Sequence, residues 1–281
     1  MSCIYKIREG MASYTDTEKK LAGYILQNTN EVTLSSAQIL GERVGVSAAA
    51  VIRFSHKLGY QGFTALKVDL ARDSTDDITN FDDMINERDL MEVVVKKAEN
   101  LNSMLQDQAY RLLNVESLEK AVAAILNSRK IYLFGVSGSG IVCMDLMEKL
   151  SRINRYAIYH SDFHDQLASA AYITERDAAI AVSYSGKTHE VNTAMKFAKE
   201  KGAATIAITQ FRKSTLTKFA DILLYIPTTE RELRLGAIAS RNASLIITDL
   251  LYMGVAKNNI EMTKDCLVKT KEIIKRYKQG S

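Results

Sequence analysis

The chain has 281 residues, of which 47 % are hydrophobic and 25 % charged, with a formal net charge of +4. That length accommodates one large or two ordinary domains, and the balance is that of a globular protein rather than a disordered one. No apolar run approaches ~20 residues, which excludes a membrane-spanning helix, and the mild basic charge permits nucleic-acid binding without establishing it.

In chain order, Thr15-Asp16-Thr17-Glu18 forms a capping box, and Leu21, Tyr24 and Ile25 continue it as a helical stripe to about Gln27. Asn28-Thr29-Asn30 closes that helix. Ser35 or Ser36 can cap a second helix ending near Val44. Gly45-Val46-Ser47 turns the chain into a third helix over 48–58, which Gly59 and Gly62 break. Thr64 can cap a fourth helix ending near Arg72. The acidic, polar stretch from Asp73 to Asp83 marks a linker, taken as residues 76–88, between a domain of residues 1–75 and one of residues 89–281.

Residues 37–54 have the pattern of a helix-turn-helix. Leu40, Val44, Val46, Val51 and Phe54 fall where two helices crossing at a tight turn share apolar contacts. Gly41 is small where the helices approach, Gly45 can adopt the positive φ of the turn, and Ser47 can cap the second helix. The outward residues of that second helix are Ser47, Ala48, Ala49, Arg53, His56 and Lys57. In a major groove, Arg53 can fork onto guanine while His56 and Lys57 suit phosphate. The same apolar spacing also fits an ordinary helical hairpin. Residues 1–75 carry only a slight positive excess, but Arg43, Arg53, Lys57, Lys67 and Arg72 cluster in the last three helices.

Asp89-Leu90-Met91-Glu92 resembles a capped start to a long helix reaching about Leu113, and Leu118, Val122, Ile125 and Leu126 supply one more. From Lys130 the pattern alternates strand and helix. Strands are expected at 131–134, 155–159, 178–182, 205–209 and 222–226, with a helix at 190–199 and terminal helices at 234–256 and 263–278. Such alternation predicts an α/β domain with a five-stranded, doubly wound, flavodoxin-like parallel sheet behind a small all-α domain.

Two strands feed hydroxyl-rich turns. The first is Ser137-Gly138-Ser139-Gly140, where Ser137 stands at the middle glycine of a dinucleotide fingerprint and disfavours that fingerprint. The second is Ser183-Tyr184-Ser185-Gly186-Lys187-Thr188, three hydroxyls around a glycine just before a helix, a nest for an oxyanion. Lys187 either adds positive charge there or is solvated. Glu230, Arg234 and Arg241 either reach a ligand across the strand ends or serve as helix-start and interface charges.

These residues carry a resemblance that covers about residues 4 to 257. The stretch from Thr17 to Leu26, Gly45-Val46-Ser47 with Val51-Ile52-Arg53-Phe54 and Lys57-Leu58-Gly59-Tyr60, and Ser183-x-Ser185-Gly186-x-Thr188 are similar to RpiR-family transcriptional regulators. These join a helix-turn-helix to a sugar isomerase (SIS) domain. The resemblance implies that Ser137, Ser183, Ser185 and Thr188 hold a sugar phosphate, with Ser139 as an addition. Asp162-Phe163-His164-Asp165-Gln166 is similar to a family segment that has a proline where Phe163 stands, and Ala50 replaces a threonine common in family reader helices.

The expected function is that of a regulator binding operator DNA and sensing a hexose or amino-sugar 6-phosphate; the alternative is a sugar-phosphate isomerase. An isomerase needs a general base beside C2, and Glu230 and His164 stand in no recognisable catalytic motif. The expected ligand contacts are therefore Ser137, Gly138, Ser139, Ser183, Ser185, Gly186, Lys187, Thr188 and Glu230, with no catalytic residue. Cys3, Cys143 and Cys266 lie far apart and the four histidines are scattered, so no metal or cofactor is expected, and free thiols fit a reducing cytoplasm. The start of the chain lacks a signal-peptide core. Homo-oligomerisation, as a dimer or tetramer, follows from half-site logic.

Overall fold

The computed structural model describes residues 3–12, 14–74, 85–227 and 236–279. By contact density the chain divides into two compact units, Met1–Thr79 and Asn80–Ser281.

The first unit is helical: α1 (Cys3–Glu9), α2 (Asp16–Gln27), α3 (Thr29–Leu34), α4 (Ala37–Val44), α5 (Ala48–Lys57) and α6 (Phe63–Ser74). The capping box forms as the sequence predicts. The Thr15 side chain accepts from the Glu18 N–H, and the Glu18 carboxylate accepts the Thr15 N–H at 2.8 Å. Three local details extend, resolve or correct the sequence reading. Asn28 ends α2 as its C-cap, as expected, but a further helix follows at once, since α3 starts at Thr29 and buries Val32 in the core. Ser36, not Ser35, caps α4, while Ser35 Oγ donates back to Glu31 O. Thr64 does not cap α6, which is already helical at Phe63, with the Leu66 N–H on Gly62 O. α1 has no strong local signature. Cys3 and Ile7 become fully buried on the common core of Leu21, Ile25, Leu40, Leu66 and Leu70, so α1 is a product of burial rather than of propensity.

The second unit begins with α7 (Met91–Leu112) and α8 (Val115–Asn127). Asp89 does not cap α7; its carboxylate takes the Asn86 N–H and the Lys97 ammonium instead. Then follow β1 (Ile131–Phe134), α9 (Gly138–Arg152), β2 (Ala157–Ile158), α10 (Phe163–Ala170), β3 (Ala178–Val182), α11 (His189–Glu200), β4 (Ala204–Gln210), β5 (Ile222–Ile226), α12 (Ile238–Lys257) and α13 (Ile260–Gln279). The five strands are all parallel in the order β2-β1-β3-β4-β5. β2 is shorter than the expected 155–159: as an edge strand it pairs with β1 only through Ala157 and Ile158.

Strand alternation sorts the core into two layers. Ile131, Leu133, Ile180, Val182, Ile206 and Ile208 face α8, α9 and α12. Tyr132, Phe134, Ala179, Ala181 and Ala207 face α10 and α11. Bulky residues on one face and alanines on the other let α11 pack close to the central strands. Both faces are covered, as an all-parallel sheet requires.

Candidate functional site

The chain leaves β1 toward β2 on one side and reaches β3, β4 and β5 on the other, so the strand order reverses between β1 and β3. At such a switch point the C-terminal ends of two adjacent strands open a crevice. Both hydroxyl turns lie there, since Phe134 and Ala181 are register partners at the ends of β1 and β3.

In the turn after β1, the Ser139 N–H closes on Val136 O at 3.1 Å. Ser137 stands at the corner with φ 53 and ψ −129, a conformation that glycine adopts freely and serine does not. Its side chain is exposed and does not cap α9. Gly138 lies close to Ala237, the residue before α12, where an added Cβ would be 3.5 Å from the Ala237 Cβ.

The turn after β3 is buried at its base. Ser183 is 3 % exposed, and its Oγ lies 3.2 Å from the Thr188 Oγ1. Ser185 Oγ accepts the Lys187 N–H at 3.2 Å, and the Lys187 side chain is exposed. Gly186 has φ +61, and a Cβ there would stand 2.1 Å from Ser214 Oγ. Gly186 O accepts the Leu216 N–H at 3.0 Å and the Asn192 amide at 3.3 Å. Asn192, Ser214 and Leu216 thus seat the turn, and sequence reading assigned them no part, because only the fold brings residues 192 and 214–216 under Gly186. Asn192 Oδ1 and Ser214 Oγ are buried without a hydrogen-bond partner. Thr188 precedes α11 without a side-chain cap, so the first N–H groups of that helix stay open toward the turn.

Other predicted residues are placed as follows. His164 is exposed on α10, where Asp162 caps the helix by accepting the His164 and Asp165 N–H groups at 2.8 and 3.3 Å. Phe163 is the first helical residue, the position at which proline is favoured, so its presence leaves the helix start intact. Arg241 is half-buried on α12 beside Asn242. Glu230 and Arg234 lie outside the described residues, as do residues 76–84 of the expected linker. Among the described residues, no group of three or more His, Cys, Asp or Glu could hold a metal ion, and no helix is long and apolar enough to cross a membrane.

In the helical unit, Gly45 ends α4 with φ 74 and ψ 37, and Ser47 caps α5 through the Ala50 N–H at 3.2 Å. Gly41 admits no side chain, as a Cβ would come within 2.6 Å of Val46 O. Arg53 and Ala49 are exposed on α5, while Ala48 is half-buried. Lys57 is engaged: its ammonium donates to both Glu18 oxygens at 2.9 and 2.8 Å, and it lies over the Tyr14 ring. That ammonium and the Thr15 N–H hold the Glu18 carboxyl below the usual carboxylate range. His56 Nδ1 lies 3.1 Å from Tyr60 O, leaving Nε2 outward. Ile52, absent from the outward set expected from the sequence, is 41 % exposed beside Arg53.

A capped helix-turn-helix and a parallel sheet with hydroxyl-rich turns at its switch point, carried on one chain, define a transcriptional regulator with a small-molecule domain. Comparison with known proteins agrees. Residues 1–76 match the helix-turn-helix domain of the rpiR family and residues 124–254 match the SIS domain. An uncharacterized HTH-type transcriptional regulator of Caldanaerobacter subterraneus subsp. tengcongensis is 38 % identical, covering 97 % of this chain and 96 % of that one. The structure of Vibrio vulnificus NanR complexed with ManNAc-6P has a TM-score of 0.61 at 27 % identity, over 98 % of this chain and 99 % of that one. The sugar isomerase domain of an RpiR transcription factor from Sphaerobacter thermophilus shares the fold, with a TM-score of 0.55 at 22 % identity over 65 % of this chain and 97 % of that one. The chain belongs to the rpiR family of helix-turn-helix transcriptional regulators with a SIS domain.

Proposed function

We propose that the protein binds operator DNA through α5 and a hexose or amino-sugar 6-phosphate through its two hydroxyl turns, and that the second event changes the first. In this reading residues 1–75 read DNA, 76–88 link, and 89–281 sense. The observation that carries it is the seated turn after β3, where Ser183, Ser185 and Thr188 surround Gly186 at the open N-terminus of α11. A phosphate dianion suits that arrangement, with the Lys187 charge outside it. Ser137, Gly138 and Ser139 then face the sugar, and Glu230 is a further candidate contact. That NanR is complexed with ManNAc-6P supports an amino sugar.

On the DNA side Arg53 forks onto guanine, Ile52 meets a thymine methyl, and Ser47, Ala48 and Ala49 let the helix approach closely. His56 offers Nε2 to a phosphate. Lys57 reaches one only by leaving Glu18. The working unit is a homodimer on a two-fold operator, in the cytoplasm.

The sugar is sensed and not converted. Neither residues 135–139 nor residues 183–188 include a carboxylate that could act as the base of an aldose–ketose isomerisation, and Glu230 and His164 stand in no recognisable catalytic motif. Because a ligand moves an equilibrium only by its differential affinity for two states, the sugar phosphate must favour one arrangement of the dimer.

Calorimetric titration of the full-length protein with hexose 6-phosphates, ManNAc-6P among them, tests the reading. At least one compound binds, Ser185→Ala weakens it by about tenfold or more, and no aldose–ketose conversion follows on incubation. Absence of binding by every compound overturns it.

A further inference from the structure

Gln166 is 1 % exposed on α10, yet its side-chain amide makes three hydrogen bonds. Its Oε1 accepts the Gly135 N–H at 3.2 Å, and its Nε2 donates to Gly135 O at 3.0 Å and to His160 O at 2.8 Å. The amide therefore matches both backbone groups of one residue, as a neighbouring strand would. On that side of β1 a strand is missing: β2 ends at Ile158, the register partner of Tyr132, three residues before Gly135. Tyr159 adds a weaker hydrogen bond to Gly135 O, at 3.4 Å.

Gly135 is confined from the other side too. A Cβ there would lie 2.8 Å from Cys143 Sγ and 3.0 Å from Ser139 O. Two residues on is Ser137, in a backbone conformation that persists only where its surroundings over-determine it. Downstream, α9 holds the turn. Upstream, the pairing of Gly135 with Gln166 holds it.

We infer that Gln166 is a positioning residue for the sugar-phosphate site: by pairing with Gly135 it fixes the end of β1, and so keeps the Ser137 hydroxyl presented at the crevice. Its burial keeps it from touching the sugar. The inference rests on the reading of the Ser137 turn as part of the effector site. A fully satisfied buried amide specifies one geometry where an apolar side chain would only fill space. It also ties the segment from Tyr159 to Gln166, which carries His160 and His164, to the effector turn.

The test uses the full-length protein with Gln166→Leu and Gln166→Glu, by hydrogen exchange and by titration with ManNAc-6P and with inorganic phosphate. In Gln166→Leu, amides 135–141 exchange about tenfold faster while those of 183–188 do not change. The same variant weakens ManNAc-6P about tenfold and inorganic phosphate, held by the turn after β3, less than about twofold. Gln166→Glu separates positioning from filling. Protonated, it can still accept from the Gly135 N–H and donate to Gly135 O; ionised, it turns a charge toward two carbonyls. Its affinity relative to the unaltered protein is near unity at acid pH and falls as pH rises. Unchanged exchange at 135–141 in Gln166→Leu, or equal loss of both probes with no recovery of Gln166→Glu at acid pH, overturns the inference. If the unaltered protein binds neither probe, it is the reading of the effector site that fails, and the exchange data still decide whether Gln166 holds the Ser137 turn.

Discussion

Ser137 occupies backbone space that a glycine would take freely, at φ 53 and ψ −129. In the sequence it stood out as an expected ligand hydroxyl and as a departure from a dinucleotide fingerprint; the structure adds that this serine is held in the glycine conformation. Such a residue costs about 1–3 kcal/mol, against about 0.5–1 kcal/mol of unfolded-state entropy that a glycine would add. Ser137→Gly is therefore expected to stabilise the sheet unit by about 1 kcal/mol while weakening sugar-phosphate binding. Urea unfolding and calorimetry on the same variant check both halves, and a destabilised variant would show that Ser137 is not strained. The residues seating Gly186 had no such trace in the sequence. Nothing local marks Asn192, Ser214 or Leu216, because their relation to the turn exists only once β4 and α11 flank β3.

At the scale of the element, α5 shows how far a pattern can be read. Its start at Ser47, the positive φ of Gly45 and the close approach at Gly41 all follow from residue type and spacing. The roles of its last turn do not. Lys57 has the appearance of a phosphate ligand in the sequence, yet it is paired with Glu18 of α2. Arg53, exposed and without an ion pair among the described residues, has no such competing partner. Arg53→Ala is expected to lower operator affinity by about 1–3 kcal/mol with sugar-phosphate binding unchanged. Glu18→Gln is expected to cost about 0.2–1 kcal/mol of stability and to leave DNA binding equal or slightly tighter, since it frees the Lys57 ammonium. Gel-shift titrations against one operator rank the two variants; intact affinity in Arg53→Ala removes α5 as the reader.

Across the whole molecule, the two edges of the sheet are built from different chemistry. Hydroxyls and open helix N-termini line the C-terminal edge, while two aspartates, Asp177 buried and Asp221 exposed, organise the other. Asp177, just before β3, accepts from the Thr174 N–H and hydroxyl, both at 2.9 Å, and pairs with Arg129. Asp221, just before β5, accepts from the Thr205 hydroxyl at 2.6 Å and pairs with Lys199. Burial pushes both carboxyls up, but these partners outweigh it and hold both below the ordinary aspartate value. Each therefore adds stability that is fully present above about pH 4 and is lost as pH falls through the lower folded value. Acid unfolding of the sheet unit should steepen below about pH 4, and Asp177→Asn with Asp221→Asn should flatten that dependence. Circular dichroism against pH tests this; an unaltered profile in the double variant would place the acid-labile groups elsewhere.

Elements with a local cause are legible from the residues alone: the capped helices α2, α4 and α5, the alternation of β-strands with amphipathic helices, and the two hydroxyl turns. Period, caps and turn residues act over a few neighbours, so they survive without a fold. Tertiary structure alone decided what depends on distant partners. It made α1 and α3 helical by burying Cys3, Ile7 and Val32. It reduced β2 to two residues, as an edge strand with a single neighbour. It turned Lys57 inward, seated Gly186 on Asn192 and Leu216, and placed the amide of Gln166 beside Gly135 where no strand continues. Each of these is a contact between residues far apart in sequence, whose energy appears only when the chain has closed on itself.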